Sequence, residues 1–317
     1  MTISSRKSFI CGIKGTSISK KEYKFIKTNK PWGIILFQRN IKNIKQVDKL
    51  TTSIKKIFKD PLYPILIDEE GGRVSRIKNI ADSSIFTAKF FGNLLKKNPR
   101  KFSLYYKVYI DQISYVLNLL GVNINTVPVL DLKRSFSHKI IGDRSYSDNK
   151  KIVDKIGNIT INLYKKKGIG TVIKHIPGHG LSKKDSHINL PYVSNNLKYL
   201  EKNDFSIFKN KKSMFAMTAH IIFTSIDKQN CITHSKKGIE YIRNKIGFKN
   251  LIITDDISMK ALTYSFNDNV KKAYDSGCNL VLHCNANMRE MRKLALISPK
   301  VSQFVIKKTS EFYKFLS

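Results

Sequence analysis

The stretch PILIDEEGGR, Pro64–Arg73, places a short apolar run against a cluster of charges and a Gly-Gly pair. Four apolar residues in a row make a strand buried on both faces rather than a half-exposed one, which would alternate. The residues after the run are too polar to continue into a core and too glycine-rich to start a helix at once. The same grammar recurs. Apolar runs at Phe9–Ile13, Gly33–Phe37, Pro64–Ile67, Val122–Thr126, Thr171–Lys174, Ser213–Met217, Leu251–Thr254 and Asn279–Leu282 are each bounded by turn or polar residues.

The gaps between these runs carry helical spacing. Ile41, Ile44, Val47, Leu50, Ile54 and Ile57 fall three and four apart, as do Ile152, Ile156, Ile159 and Leu163, with Gly168 as a stop. Leu104–Leu120 forms another such stretch, closed by Gly121. Eight buried strands alternating with helices predict an α/β fold, a (β/α)8 TIM barrel in one domain spanning 1–317. A doubly wound sheet is the competing reading, but neither a GxGxxG nor a P-loop supports it. No Pro/Gly/Ser-rich linker divides the chain.

A barrel carries its chemistry at the C-terminal ends of its strands. Those ends read IDEEGGR after the third run, KHIPGHG after the fifth, TAH after the sixth, TDD after the seventh and HCN after the eighth. Ionisable residues therefore gather on one rim, which argues for an enzyme.

Composition bounds the rest. The chain has 317 residues, and its 41% hydrophobic share supports a sizeable core. The cysteines, Cys11, Cys231, Cys278 and Cys284, show no CxxC pairing and fit reduced thiols in a cytoplasmic protein. No stretch approaches a signal-peptide core or a membrane span, so no membrane partner is expected. The net charge of +35 invites a nucleic-acid reading. Yet the excess is lysine spread through every segment, without clustered arginine among aromatics, so solvated faces rather than a specific nucleic-acid surface are expected.

Three constellations carry chemistry, each with a plainer alternative. In KHIPGHGLSKKDSH, Lys174–His187, the pair His175 and His179 is interrupted by Pro177-Gly178, so the helical metal-ligand logic of HExxH fails. Asp185 and His187 stand two apart, where a carboxylate can hold one imidazole nitrogen and leave the other to move a proton. The plainer readings are a zinc site or a surface loop. In ITDDISM, Ile253–Met259, one Asp suits a nucleophile or base, or both cap a helix starting near Ser258. In IDEEGGRVSR, Asp68 with Arg73 and Arg76 suits a polyhydroxylated ligand or a structural salt bridge, and Arg144 in GDRSY and His220 in MTAH are equally open.

Together these motifs resemble bacterial β-N-acetylglucosaminidases of glycoside hydrolase family 3, the single-domain type of peptidoglycan recycling. The resemblance rests on GIILFQRN at Gly33–Asn40, IDEEGGRVSR at Ile67–Arg76, PVLDL at Pro128–Leu132, GDRSY at Gly142–Tyr146, KHIPGHG followed by DSH, MTAH and ITDDISM, in order along nearly the whole chain. It implies a retaining exo-hydrolase of terminal N-acetylglucosamine in anhydromuropeptides, acting as a monomer without cofactor or metal. It implies Asp255 as nucleophile, His187 as general acid/base with Asp185 as its partner, and Asp68, Arg76, Arg144, Lys174 and His175 as sugar-binding residues, with His220 and Asp256 in support. The glycines near His179 imply a flap that closes over substrate.

Some readings remain open beside this one. A related β-glycosidase or a phosphorylase fits the same motifs. A sugar-binding module would need Asp68 and Lys174 but neither Asp255 nor His187. The chain is also shorter than many members and ends in a lysine-rich helix, which points to trimmed late barrel elements. IFTAKFFG, Ile85–Gly92, lacks a proline expected in that loop.

Overall fold

The computed structural model describes residues 2–134, 141–182 and 190–317. Its strands, in chain order, are β1 (Lys7–Gly12), β2 (Pro31–Leu36), β3 (Ile65–Ile67), β4 (Ile124–Asn125), β5 (Gly170–Ile176), β6 (Tyr192–Val193), β7 (Phe215–Thr218), β8 (Ile222–Phe223), β9 (Leu251–Asp256) and β10 (Leu280–His283). Eight of them, all but β6 and β8, close a parallel barrel in the order β1-β2-β3-β4-β5-β7-β9-β10 and back to β1. These eight coincide with the eight apolar runs. The β6–β8 pair is a small separate sheet that periodicity did not reveal, because two-residue strands leave no period.

Residues along each strand alternate between two cores. Ile10, Trp32, Ile35, Leu66, Ile124, Val172, Leu251 and Leu282 fill the barrel interior. Phe9, Cys11, Ile34, Leu36, Ile65 and Ile67 pack outward against the helices. Both faces are apolar because both are covered, which is why the runs read as continuous. The expected helices are present over Ile44–Phe58, Pro99–Leu119 and Lys150–Lys165. Pro99 opens the second of these, where its missing N–H is harmless, and Asn98 caps it.

The late elements are not trimmed. β9 and β10 close the barrel, and the lysine-rich terminal helix, Gln303–Leu316, seals its bottom. Phe312 of that helix is fully buried and meets Phe215 edge-on at 5.3 Å, while Trp32 Nε1 donates to Thr309 Oγ1 at 2.9 Å. IFTAKFFG is likewise ordered without proline. Thr87 caps the helix Ala88–Lys97, and Gly92 on it lies so close to the Tyr146 carbonyl that a Cβ would sit 1.6 Å from the oxygen. That contact clamps the helix to the loop bearing Arg144.

Candidate active site

At the C-terminal ends of the strands a pocket is lined by Phe37, Asp68, Thr126, Ile141, Arg144, Lys174, His175, His179, Met217, Asp255, Leu282 and Cys284. Five of the expected site residues, Asp68, Arg144, Lys174, His175 and Asp255, line this one pocket, and Arg76 joins it through Asp68. Asp185 and His187 lie outside the described residues, as does most of the expected flap.

One wall is an ionic cage. Asp68, just past β3, accepts from Arg76 Nη2 at 2.8 Å, from Thr126 Oγ1 at 2.6 Å and from Lys174 Nζ. Lys174 also reaches Glu70 Oε1 at 2.6 Å, and Glu70 is gripped by both Nε and Nη2 of Arg144 at 2.7 and 2.8 Å. Burial alone would push both carboxyls up. The cations reverse that, holding Asp68 well below the usual aspartate range and Glu70 below the glutamate range. Arg76 also stacks over the Phe37 ring at 5.5 Å. The cage therefore presents fixed, ionised hydrogen-bonding groups, the arrangement that matches directional hydroxyls. Arg73 stands apart, paired with Asp143 at 2.7 Å on the exposed rim.

A second group surrounds the tip of β5. The PVLDL segment runs beside that tip, with Leu130 N–H donating to Lys174 O at 2.7 Å. It thereby sets Asp131, fully enclosed, under His175. Asp131 Oδ2 lies 2.6 Å from His175 Nδ1, and its carboxylate accepts the backbone N–H of His175 at 3.2 Å and of His179 at 2.6 Å. Gly178 has φ of 145° and Gly180 packs on the Leu132 backbone, where a Cβ would meet Leu132 O at 2.2 Å. Here the glycines serve close packing of the turn. Burial and the neighbouring His175 lower the His179 pKa to about 4.

Asp255 stands near the end of β9, with its Oδ2 3.9 Å from His175 Nε2 and its Oδ1 accepting the Asp256 N–H at 2.8 Å. Burial would raise its pKa, but the imidazoles of His175 and His220 in their protonated form, with the Asp256 amide, outweigh burial and hold it below the usual value. Asp256 does not cap a helix, since the next one begins at Phe266. Its carboxylate instead accepts Ser258 Oγ at 2.8 Å and the Cys284 N–H at 3.2 Å, tying the β9 and β10 ends together. His220 is buried between Thr233 Oγ1 at 2.7 Å and the Asp256 carbonyl at 3.1 Å, a supporting position.

Sequence reasoning passed over Glu70 and Asp131. Both lie inside motifs that were recognised, and the available signal was a carboxylate at a strand end. Which of three adjacent acids turns toward the pocket depends on the turn after β3. There Glu69 points away, binding the Arg76 and Ile77 amides and Ser83 Oγ.

Fixed, ionised hydrogen-bonding groups beside a second ionised carboxylate, on the rim of a closed parallel barrel, suit cleavage of a glycosidic bond, and the protein is a glycoside hydrolase. It belongs to glycosyl hydrolase family 3, whose N-terminal domain matches residues 8–307. A β-hexosaminidase of Nitrosomonas eutropha is 32% identical over 282 residues, covering 86% of this chain and 79% of the relative. One from Haemophilus influenzae is 30% identical, with coverages of 88% and 79%. Among solved structures, NagZ from Neisseria gonorrhoeae in complex with N-trifluoroacetyl-D-glucosamine superposes with a TM-score of 0.84 at 26% identity, over 97% of this chain and 90% of that one. Among the described residues, no helix is long and apolar enough to cross a membrane.

Proposed function

We propose that this chain, as one barrel unit over 1–317, is a retaining exo-β-N-acetylglucosaminidase acting on anhydromuropeptide fragments of peptidoglycan. Asp255 is the nucleophile. It attacks the anomeric carbon as the glycosidic bond breaks, forming a covalent glycosyl–enzyme that water then hydrolyses. Asp68, Arg76, Arg144, Lys174 and His175 hold the sugar. His187, oriented by Asp185, protonates the leaving oxygen and later deprotonates the water.

The observation that carries this reading is the state of the carboxyls. A two-carboxylate glycosidase needs one carboxyl with a raised pKa as its acid. Here Asp68, Glu70, Asp131 and Asp255 are all held low by cations, imidazoles or amides. Glu69 and Asp204 are raised by burial, but neither lines the pocket: Glu69 is spent on backbone amides and Asp204 is paired with Arg134 at 2.9 Å. Among the described residues, no carboxyl lining the pocket is held above its usual range, which favours the imidazole of DSH as the acid. The likeness to β-hexosaminidases and to an N-trifluoroacetyl-glucosamine complex favours an N-acetylated sugar. A net charge of +35 would draw in the carboxylates of a peptide stem. Free cysteines, three of them buried, agree with a reducing cytoplasm, and we take the enzyme as a monomer.

The test compares aryl β-N-acetylglucosaminide with the matching glucoside, with and without phosphate, for wild type and Asp255→Ala. Turnover of the N-acetyl substrate alone, with the β-anomer released first and a loss of at least ~1000-fold in the variant, is expected for a nucleophile. First release of the α-anomer would refute retention. Acceleration by phosphate with sugar phosphate as product would replace hydrolysis by phosphorolysis.

A further inference from the structure

Of the site carboxylates Asp68, Glu70, Asp131 and Asp255, that of Asp131 is the most deeply buried. It is 1% exposed, lies beneath the pocket floor, and makes its three contacts with one five-residue corner, His175–His179. Two are backbone N–H groups, which any acceptor oxygen of similar shape would satisfy. The third is different in kind. An ionised carboxylate only accepts hydrogen bonds, so at 2.6 Å from His175 Nδ1 it requires a proton on that nitrogen. The other ring nitrogen, Nε2, is then the one turned toward Asp255 Oδ2, at 3.9 Å. Lys174, the adjoining residue, is occupied by Asp68 and Glu70 and does not compete for Asp131.

We propose that Asp131 is a positioning residue that acts through His175, locking its proton on Nδ1 so that Nε2 meets the sugar and the nucleophile in one defined state. This rests on the glycosidase reading for its consequence in catalysis, though not for its prediction about the imidazole. Asp131 itself does not line the pocket. The same carboxylate aligns the His175 ring through the backbone, so tautomer and orientation are set by one group, as outer hydrogen-bond partners of imidazoles do elsewhere.

The discriminating variant is Asp131→Asn. The side-chain oxygen keeps its acceptor role toward the His179 amide, while the NH2 faces His175 Nδ1 as a donor and drives the proton to Nε2. A triad Asp→Asn change that inverts a histidine tautomer with geometry intact costs about 10⁴-fold in kcat. A loss of at least ~100-fold in kcat/KM is expected here, since His175 is not the proton-transfer group. In a His175→Gln background the same change should cost less than ~3-fold, because the residue it acts through is gone. A purely structural role would cost the same in both backgrounds and overturn the proposal.

Because Asp131→Asn risks misfolding, the wild-type enzyme supplies an independent readout. Nitrogen NMR of ¹⁵N-histidine-labelled protein, with His175 assigned by its substitution, should show Nδ1 protonated. An unprotonated Nδ1 would overturn the proposal whatever the variants do. Should the wild type hydrolyse no N-acetylglucosaminide while Nδ1 is protonated, the functional reading fails and the role of Asp131 in fixing the imidazole stands.

Discussion

Lys174 shows how a single residue organises this site. Its side chain is 2% exposed and its ammonium is held between Asp68 and Glu70, with Arg76 and Arg144 behind them. Burial alone would lower its pKa, yet the two carboxylates raise it, so the cage is ionised throughout. Removing one partner of a buried ionic group leaves uncompensated charge, so Lys174→Met should cost about 3–5 kcal/mol in urea denaturation as well as sugar affinity. Asp255 yields a prediction of opposite character. As the proposed nucleophile it would react as the anion, and its folded-state pKa is lowered, so it stays ionised until the pH falls through that lowered value. The acid limb of kcat/KM should therefore lie below about pH 4, the ordinary aspartate value, in short pH-jump assays. A limb near pH 5 would mean that the histidines do not act on Asp255 as described.

At the scale of elements, stability and chemistry sit at opposite ends of the barrel. The terminal helix seals the bottom through Phe312, Val305 and Thr309, while the pocket lies at the other rim. Phe312→Ala should destabilise by about 3–5 kcal/mol and leave kcat/KM of the folded enzyme unchanged. Gly92 couples the two properties. An added Cβ would strike the Tyr146 carbonyl, and the loop that must yield carries Arg144. Gly92→Ala should cost about 1–3 kcal/mol and also raise KM, measured by thermal melts and steady-state kinetics. An unchanged KM would show that the loop absorbs the shift without moving Arg144.

Across the whole molecule, charge governs the response to solution conditions. Burial, joined by neighbouring cationic groups, lowers His179 to about 4 and His234 to about 3, and burial lowers His220. Above pH ~6.5 these groups are neutral in both states. As the pH falls from there, the unfolded chain takes up protons that the folded one refuses, so stability declines. Below about pH 4 the depressed carboxylates Asp68, Glu70, Asp131 and Asp255 add to the loss, since folding holds them ionised. The raised Glu69 and Asp204 act the other way and soften the decline. The melting temperature should thus begin to fall near pH 6.5 rather than at pH 4. With a net charge of +35 it should also rise with moderate salt, which screens self-repulsion.

The sequence by itself determined the barrel, because doubly buried strands must be apolar throughout and their eight runs are separated by helical periods. It also determined at which rim the ionisable residues gather around a pocket, since such residues cannot follow a buried strand without purpose or partner. Asp68, Arg76, Arg144, Lys174, His175 and Asp255 were legible there as residues at strand ends or just beyond. The partners were not. That Lys174 bridges Asp68 to Glu70, that Glu69 turns away, and that Asp131 lies under His175 were decided by the tertiary structure alone. Adjacent acids in a turn differ only in direction, and direction is set by which buried amides and cations each one meets. The two-residue sheet of β6 and β8 stayed hidden for a related reason: its pairing joins segments thirty residues apart and leaves no local period.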